Sequence, residues 1–132
     1  MIFLDTSYIN GLILKNDSHS VDSGNIEPYL ENESKATNIT VLVEVLNSLT
    51  NYNFFGNIDD LLSYLFNFEI LDCLTSHDYN SAMLLFKYYN GSINFSDCTI
   101  LQSMQKFGIT RIASFDSDFD KIKGIQRIGG FN

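Results

Sequence analysis

Basic residues are scarce in this chain. Eight Lys and Arg stand against sixteen Asp and Glu over 132 residues, a formal charge of −8. That balance argues against holding nucleic acid through lysine and arginine alone, the usual way of neutralising phosphates. It leaves a nuclease open, because clustered acids can hold divalent cations that bring positive charge locally. Cysteine is nearly absent too. Cys73 and Cys98 are too few and too isolated for a disulfide framework and fit a reducing compartment. One proline and eight glycines exclude collagen and disorder throughout. No apolar run approaches the ~18 residues a membrane span needs, and the best stretch, Ile39 to Leu46, is broken by Glu44. Asp5 interrupts the N-terminus with no basic segment before it, so no signal peptide is expected. A soluble, cytoplasmic protein is the expectation, and the length suits one domain over residues 1–132.

Several site signatures are missing as well. No GxxxxGK[ST] or GxGxxG stretch occurs to cradle a phosphate, and no GxSxG presents a nucleophile. His19 and His77 lie far apart, with no HExxH or CxxC spacing for zinc. Asp116, Asp118 and Asp120 alternate as in a calcium loop. Lys121 stands where that loop requires glycine, however, and Arg127 where it requires glutamate. A phosphatase with a DxD pair after the first strand is the nearest rival, but Ser7 takes the place of the second aspartate. Metal-assisted hydrolysis is the chemistry left.

What is present reads as alternating strands and helices. Ile2-Phe3-Leu4 is a short buried strand, followed by a helix over Tyr8 to Leu14 and a polar loop from Lys15 to Gly24. Glu27 to Glu33 fits a helix with Pro28 in its first turn, and Ala36 to Ile39 a second strand. Thr40 is placed to cap a helix to Leu49, whose Val41, Leu42, Val45, Leu46 and Leu49 share one face and Glu44, Asn47 and Ser48 the other. A helix from Asn57 or Ile58, a strand over Phe68 to Leu71 and a helix over Ser76 to Tyr89 follow. Ser96 is placed to cap a helix from Asp97 to Phe107 that Gly108 ends. Ile109 to Phe115 and Ile125 to Ile128 read as strands around a helical turn at Ser117 to Lys123. The pattern predicts an α/β, three-layer sandwich with a central, mainly parallel sheet flanked by helices.

In such sheets ligands bind beyond the carboxyl ends of the strands. Asp5 and Asp116 fall at two such ends, and Glu44 and Asp97 lie in early helical turns. Four carboxylates converging on one cleft would repel unless a cation sat among them, and Mg²⁺ or Mn²⁺ suits oxygen ligands. Each acid also has a plain structural reading. Asp5 can cap the following helix by accepting from the N–H groups of Ser7 or Tyr8, Glu44 can simply meet water, Asp97 gains from the helix dipole, and Asp116 can be a turn residue or N-cap. Asp118 is a further ligand candidate, while Asp120 reads as solvated.

These residues resemble the PIN-domain ribonucleases, and among them the VapC-type toxins of toxin–antitoxin pairs. The resemblance rests on Ile2-Phe3-Leu4-Asp5-Thr6-Ser7-Tyr8-Ile9, Val43-Glu44-Val45-Leu46, Phe95-Ser96-Asp97-Cys98 and Ala113-Ser114-Phe115-Asp116-Ser117-Asp118-Phe119, in that order. It implies a metal-dependent endoribonuclease in which Asp5, Glu44, Asp97 and Asp116 bind Mg²⁺ or Mn²⁺. It places Thr6 and Ser114 as hydroxyls that orient those carboxylates or metal-bound waters. It also implies a homodimer and a small antitoxin partner, for which the aromatic segment Asn51-Tyr52-Asn53-Phe54-Phe55-Gly56 offers a contact. Bases are few around these motifs, leaving Lys15, Lys121, Lys123 and Arg127 as the expected phosphate contacts. A PIN-like domain that binds RNA or protein without cutting is the alternative, and a DNA-directed nuclease stands third.

Overall fold

A computed structural model describes residues 1–51 and 54–129. Tyr52 and Asn53, part of the aromatic segment above, lie outside the described residues. The elements run β1 (Ile2–Leu4), α1 (Thr6–Ile13), α2 (Ser20–Leu30), β2 (Lys35–Asn38), α3 (Ile39–Asn51), α4 (Ile58–Leu65), β3 (Ile70–Asp72), α5 (Ser76–Tyr88), α6 (Phe95–Phe107), β4 (Arg111–Ala113) and β5 (Gln126–Ile128). A 3₁₀ turn, Ser117–Lys121, sits between the last two strands.

The sheet has the order β3-β2-β1-β4-β5, and every neighbouring pair is parallel. The expected central sheet flanked by helices is what the chain builds. β1 is central because Ile2, Phe3 and Leu4 are all buried, as a strand covered on both faces requires. The chain steps outward from β1 to β3, then crosses back to β4 and β5 on the other side. With right-handed crossovers, that reversal sends the helices of the two halves to opposite faces. It also opens a crevice at the carboxyl ends of β1 and β4, where the winding direction changes.

Four local expectations are corrected. α2 begins at Ser20, so the polar loop is shorter than Lys15 to Gly24, and Pro28 lies near the end of this helix rather than in its first turn. Pro28 removes one donor to the Gly24 carbonyl, and both residues are exposed, so the missing bond is not a buried one. α3 is not capped by Thr40: β2 runs straight into it, and the Asn38 side chain accepts from the Val41 N–H at 3.0 Å. α6 is likewise capped by Asn94, whose side-chain Oδ1 accepts from the Asp97 N–H at 2.8 Å, not by Ser96. β4 is shorter than the predicted strand, ending at Ala113 and leaving Ser114 and Phe115 in the crevice loop. Gly108 does end α6 in the left-handed conformation, with φ 67°.

Asn38 does more than cap. Its amide donates to Ser103 Oγ at 3.1 Å and, more weakly, to Thr99 Oγ1 at 3.4 Å, tying α3 to α6 across β2. Losing a cap and a buried hydrogen bond together gives an expected destabilisation of about 2–3 kcal/mol for Asn38→Ala. Urea unfolding should show it as a lower midpoint with an unchanged slope.

Candidate functional site

The crevice at the ends of β1 and β4 is a cleft of about 350 Å³ lined by Asp5, Glu44, Asp97 and Asp116, among others. Asp5 follows β1 directly and caps α1, its Oδ1 accepting from the Thr6 N–H at 2.8 Å rather than from the backbone N–H of Ser7 or Tyr8. Its Oδ2 accepts from Ser114 Oγ at 2.6 Å and from Ser7 Oγ at 3.2 Å. The two serines are themselves pinned by the crevice loop: Ser7 Oγ accepts from the Phe115 N–H and Ser114 Oγ from the Asp116 N–H, both at 3.0 Å. The Asp5 carboxylate thus has a fixed orientation. Burial pushes its pKa up; the Ser114, Thr6 and Ser7 hydrogen bonds oppose that rise, and the charge of Asp116 adds to it.

Asp97 sits in the first turn of α6, where the helix dipole favours an anion. Its surroundings override that preference. Burial, the facing Asp116 carboxyl and the charges of Asp5 and Glu44 push its pKa up to about 9. Glu44, half-buried on α3, is raised by burial and then by Asp5, while the Ser96 hydroxyl pulls it back. Asp116 caps the 3₁₀ turn, its Oδ1 accepting from the Asp118 N–H at 2.9 Å. Carboxylate oxygens of Asp97, Asp116 and Asp118 all lie within 4.8 Å of one another. Asp118 is the outermost of the three and is ion-paired to Lys121 at 2.7 Å.

Among the described residues, four buried side-chain polar atoms lack a hydrogen-bond partner, and three belong to residues of this cleft: Thr6 Oγ1, Asn10 Oδ1 and Asp97 Oδ2. The Asn10 oxygen is unambiguous. Ser48 gives its one proton to the Glu44 carbonyl and so accepts from the Asn10 amide nitrogen, leaving the oxygen over. Buried polar atoms are ordinarily satisfied. Their concentration beside four acids fits a hydrated divalent cation, which oxygen donors of this kind hold well. A roomier groove of about 830 Å³ lies between α5 and α6, but its acid, Asp78, is already neutralised by Lys106 at 2.8 Å. Unbalanced charge marks the smaller cleft as the candidate site.

The sequence motifs are matched by a family model for the PIN domain over residues 2–125. The chain belongs to the PIN domain family. No curated protein matches this PIN domain. Its fold is similar to that of VapC20 from Mycobacterium tuberculosis, a toxin described as cleaving the sarcin-ricin loop. The two share 21% identity over 92% of this chain and 94% of that one, with a TM-score of 0.75. It is also similar to a toxin–antitoxin complex chain from Klebsiella pneumoniae, at 17% identity over 99% and 98% of the two chains and a TM-score of 0.73. A chain of VapBC2 from Rickettsia felis, in a complex with promoter DNA, gives 17% identity over 97% and 98%, with a TM-score of 0.68.

All four expected acids of this PIN domain meet in one cleft, Thr6 lines it, and Ser114 lies beneath Asp5. Arg127 corrects an expectation. Its guanidinium is bidentate to Asp120, at 2.9 Å for each bond, and donates to the Ser114 carbonyl at 3.2 Å, so it buttresses the site instead of facing substrate. Asp120 is accordingly paired, not merely solvated. Ser7, Asn10, Ser96 and His19 were missed as site residues. Ser7 acts through partners more than a hundred positions away, a relation that no local spacing displays. Ser114→Ala removes the shortest hydrogen bond to Asp5, and loss of such an orienting partner typically weakens metal affinity roughly 10–100-fold. Titrating Mg²⁺ against the variant's melting temperature should report that drop.

Proposed function

We propose that this PIN domain is a metal-dependent endoribonuclease hydrolysing RNA phosphodiester bonds, the toxin of a VapBC-type toxin–antitoxin pair. The observation that carries this reading is the Asp97 carboxyl: buried, with one oxygen unpartnered, and facing three other acids. A group pushed so far from its ordinary state keeps a proton at neutral pH unless a cation replaces it. Asp5, Glu44, Asp97 and Asp116 would hold Mg²⁺ or Mn²⁺, with Asp118 released from Lys121 to join them. When bound, the cation supplies charge neutralisation at the phosphoryl oxygens and lowers the pKa of a water molecule.

The chain's own residues do the rest. Ser7, Ser114 and the Thr6 N–H hold Asp5 in one orientation, so ligand placement needs no rearrangement. The Thr6 hydroxyl, buried and unpartnered beside Asp5, is a donor left over at the wall of the cleft. Ser96, in the same cleft, favours the ionised form of Glu44. A small antitoxin and a second copy of this chain are the proposed protein partners, the antitoxin supported by the toxin–antitoxin complexes among the similar folds and the second copy by the family resemblance alone. In the aromatic segment Phe55 is 85% exposed and offers such a contact, while Phe54 packs against the core. Two free cysteines and the lack, among the described residues, of any helix long and apolar enough to cross a membrane support a cytoplasmic setting.

The test is cleavage of a labelled mixed RNA pool by purified protein with Mg²⁺ or Mn²⁺, with EDTA, and with Asp5→Asn alongside. Cuts that vanish in both controls are expected. Absence of cutting by folded, inhibitor-free protein would put the non-cleaving RNA- or protein-binding module first. Cuts in DNA alone would support the third reading.

A further inference from the structure

His19 has no part in the metal chemistry, yet it lines the same cleft as the four acids. Its imidazole lies flat on the Phe115 ring, with centroids 4.2 Å apart and planes 7° from parallel. Phe115 is fixed from both sides: its ring packs against the hydrophobic core and its N–H is held by Ser7 Oγ. The stack therefore rises from the core through Phe115 to His19, between the residues that position Asp5 and the acid Asp116.

The chain is shaped to put His19 there. It occupies the cap position of α2, but its side chain makes no capping bond, so the ring is not engaged in helix termination. Its N–H donates to Asp17 Oδ1 at 2.8 Å, which fixes the turn. Gly11 on α1 lets the start of α2 close down: a Cβ there would lie 2.9 Å from the His19 carbonyl oxygen and collide with the Ser23 side chain. A half-buried aromatic pair at the wall of an acidic cleft is a poor phosphate contact. It is a good surface for a nucleobase, since every base has a face that stacks on an aromatic ring.

We propose that the His19–Phe115 pair is a stacking platform for an unpaired nucleobase next to the scissile phosphate. This rests on the nuclease reading and adds a positioning residue to it. Stacking on a flat ring tolerates any base but requires that the base leave its helix. Duplex RNA is consequently excluded from the platform.

Two measurements test this. In the first, a single-stranded RNA carrying 2-aminopurine is bound, with Mg²⁺ present, to Asp5→Asn protein, which does not cut. Quenching of the fluorophore is expected, lost in the Asp5→Asn, His19→Ala double variant and kept when His19→Phe replaces it. In the second, otherwise wild-type protein cleaves RNAs with an abasic nucleotide beside the cut site. The missing base should lower kcat/KM roughly 10-fold or more in the wild type and in His19→Phe, and leave His19→Ala unaffected. Equal quenching in the Ala and Phe variants, no quenching at all, or an unchanged abasic effect in His19→Ala would overturn the platform. Failure of the wild type to cut any RNA would instead overturn the nuclease reading, and the quenching experiment still decides the platform.

Discussion

Asp97→Asn is expected to abolish cleavage and, in the absence of metal, to make the protein more stable. The two effects share one cause. In the metal-free fold the Asp97 carboxyl is held far from its preferred ionised state by burial and by Asp116, Asp5 and Glu44. Asparagine keeps the shape, donates a hydrogen bond towards Asp116 and carries no charge, so the repulsion is relieved. A gain of about 2 kcal/mol at pH 8 is a conservative figure for a shift of this size. It raises the melting temperature of a chain of this length by roughly 5–10 °C. Cleavage should fall by more than the roughly 100-fold that loss of an orienting partner produces, since a ligand itself is removed. A structural aspartate would behave oppositely, losing stability on replacement while activity followed the folded fraction. A lower melting temperature, or retained cleavage, would sink the assignment of Asp97 to a metal centre.

Mg²⁺ is expected to stabilise the protein strongly at about pH 8 and hardly at all at about pH 5. Asp97, with a pKa of about 9, and the raised Asp5 and Glu44 bind protons in the folded state that the unfolded chain releases. Stability of the metal-free protein therefore falls as pH rises from about 4 towards 9. Asp78 works the other way. The Lys106 ammonium and the Thr75 N–H hold its carboxyl well below the usual range, so its contribution is present above about pH 4 and lost on further acidification. Together these set a stability maximum near pH 4–5 without metal. Protons occupy the cleft there and Mg²⁺ must displace them, whereas at pH 8 less proton has to leave. At a hundred times Kd the ion adds roughly 2.7 kcal/mol, about 10 °C for this chain length. Thermal melts at both pH values, with and without Mg²⁺, make the measurement. A metal shift as large at pH 5 as at pH 8 would contradict the assigned carboxylate cluster.

Asp5 and Asp116 were legible in the sequence because acids just past short apolar stretches are a local pattern: Asp5 follows β1 directly, and Asp116 stands three residues past the end of β4. Glu44 was legible as an acid on the polar face of an otherwise apolar helix. The helix starts were not. Asn38 closes a strand and caps the next helix in one step, and Asn94 stands two residues before the more conspicuous Ser96, so hydroxyl residues nearby drew the boundary. α2 buries only Ser23, Ile26 and Leu30 among polar neighbours, too sparse a stripe for its first turns to show. Ser7 and His19 depend on Phe115 and Ser114, roughly a hundred residues on, and only the pairing of β1 with β4 makes them neighbours.

Most bases of this chain are already engaged by its own acids or carbonyls. Lys106, Arg111, Lys121 and Arg127 are held in ion pairs, and the Lys35 ammonium is bound to two backbone carbonyls. A polyanionic substrate approaching from a distance thus meets a surface of its own sign, and attraction begins only at the cation inside the cleft. Monovalent salt, which drives apart complexes built on lysine and arginine, shortens the reach of that repulsion to about 10 Å at 0.1 M. Ionic strength should hence speed the first encounter rather than slow it, so turnover by this domain follows salt with the opposite sign to that of a basic nuclease until competition for the cation itself takes over.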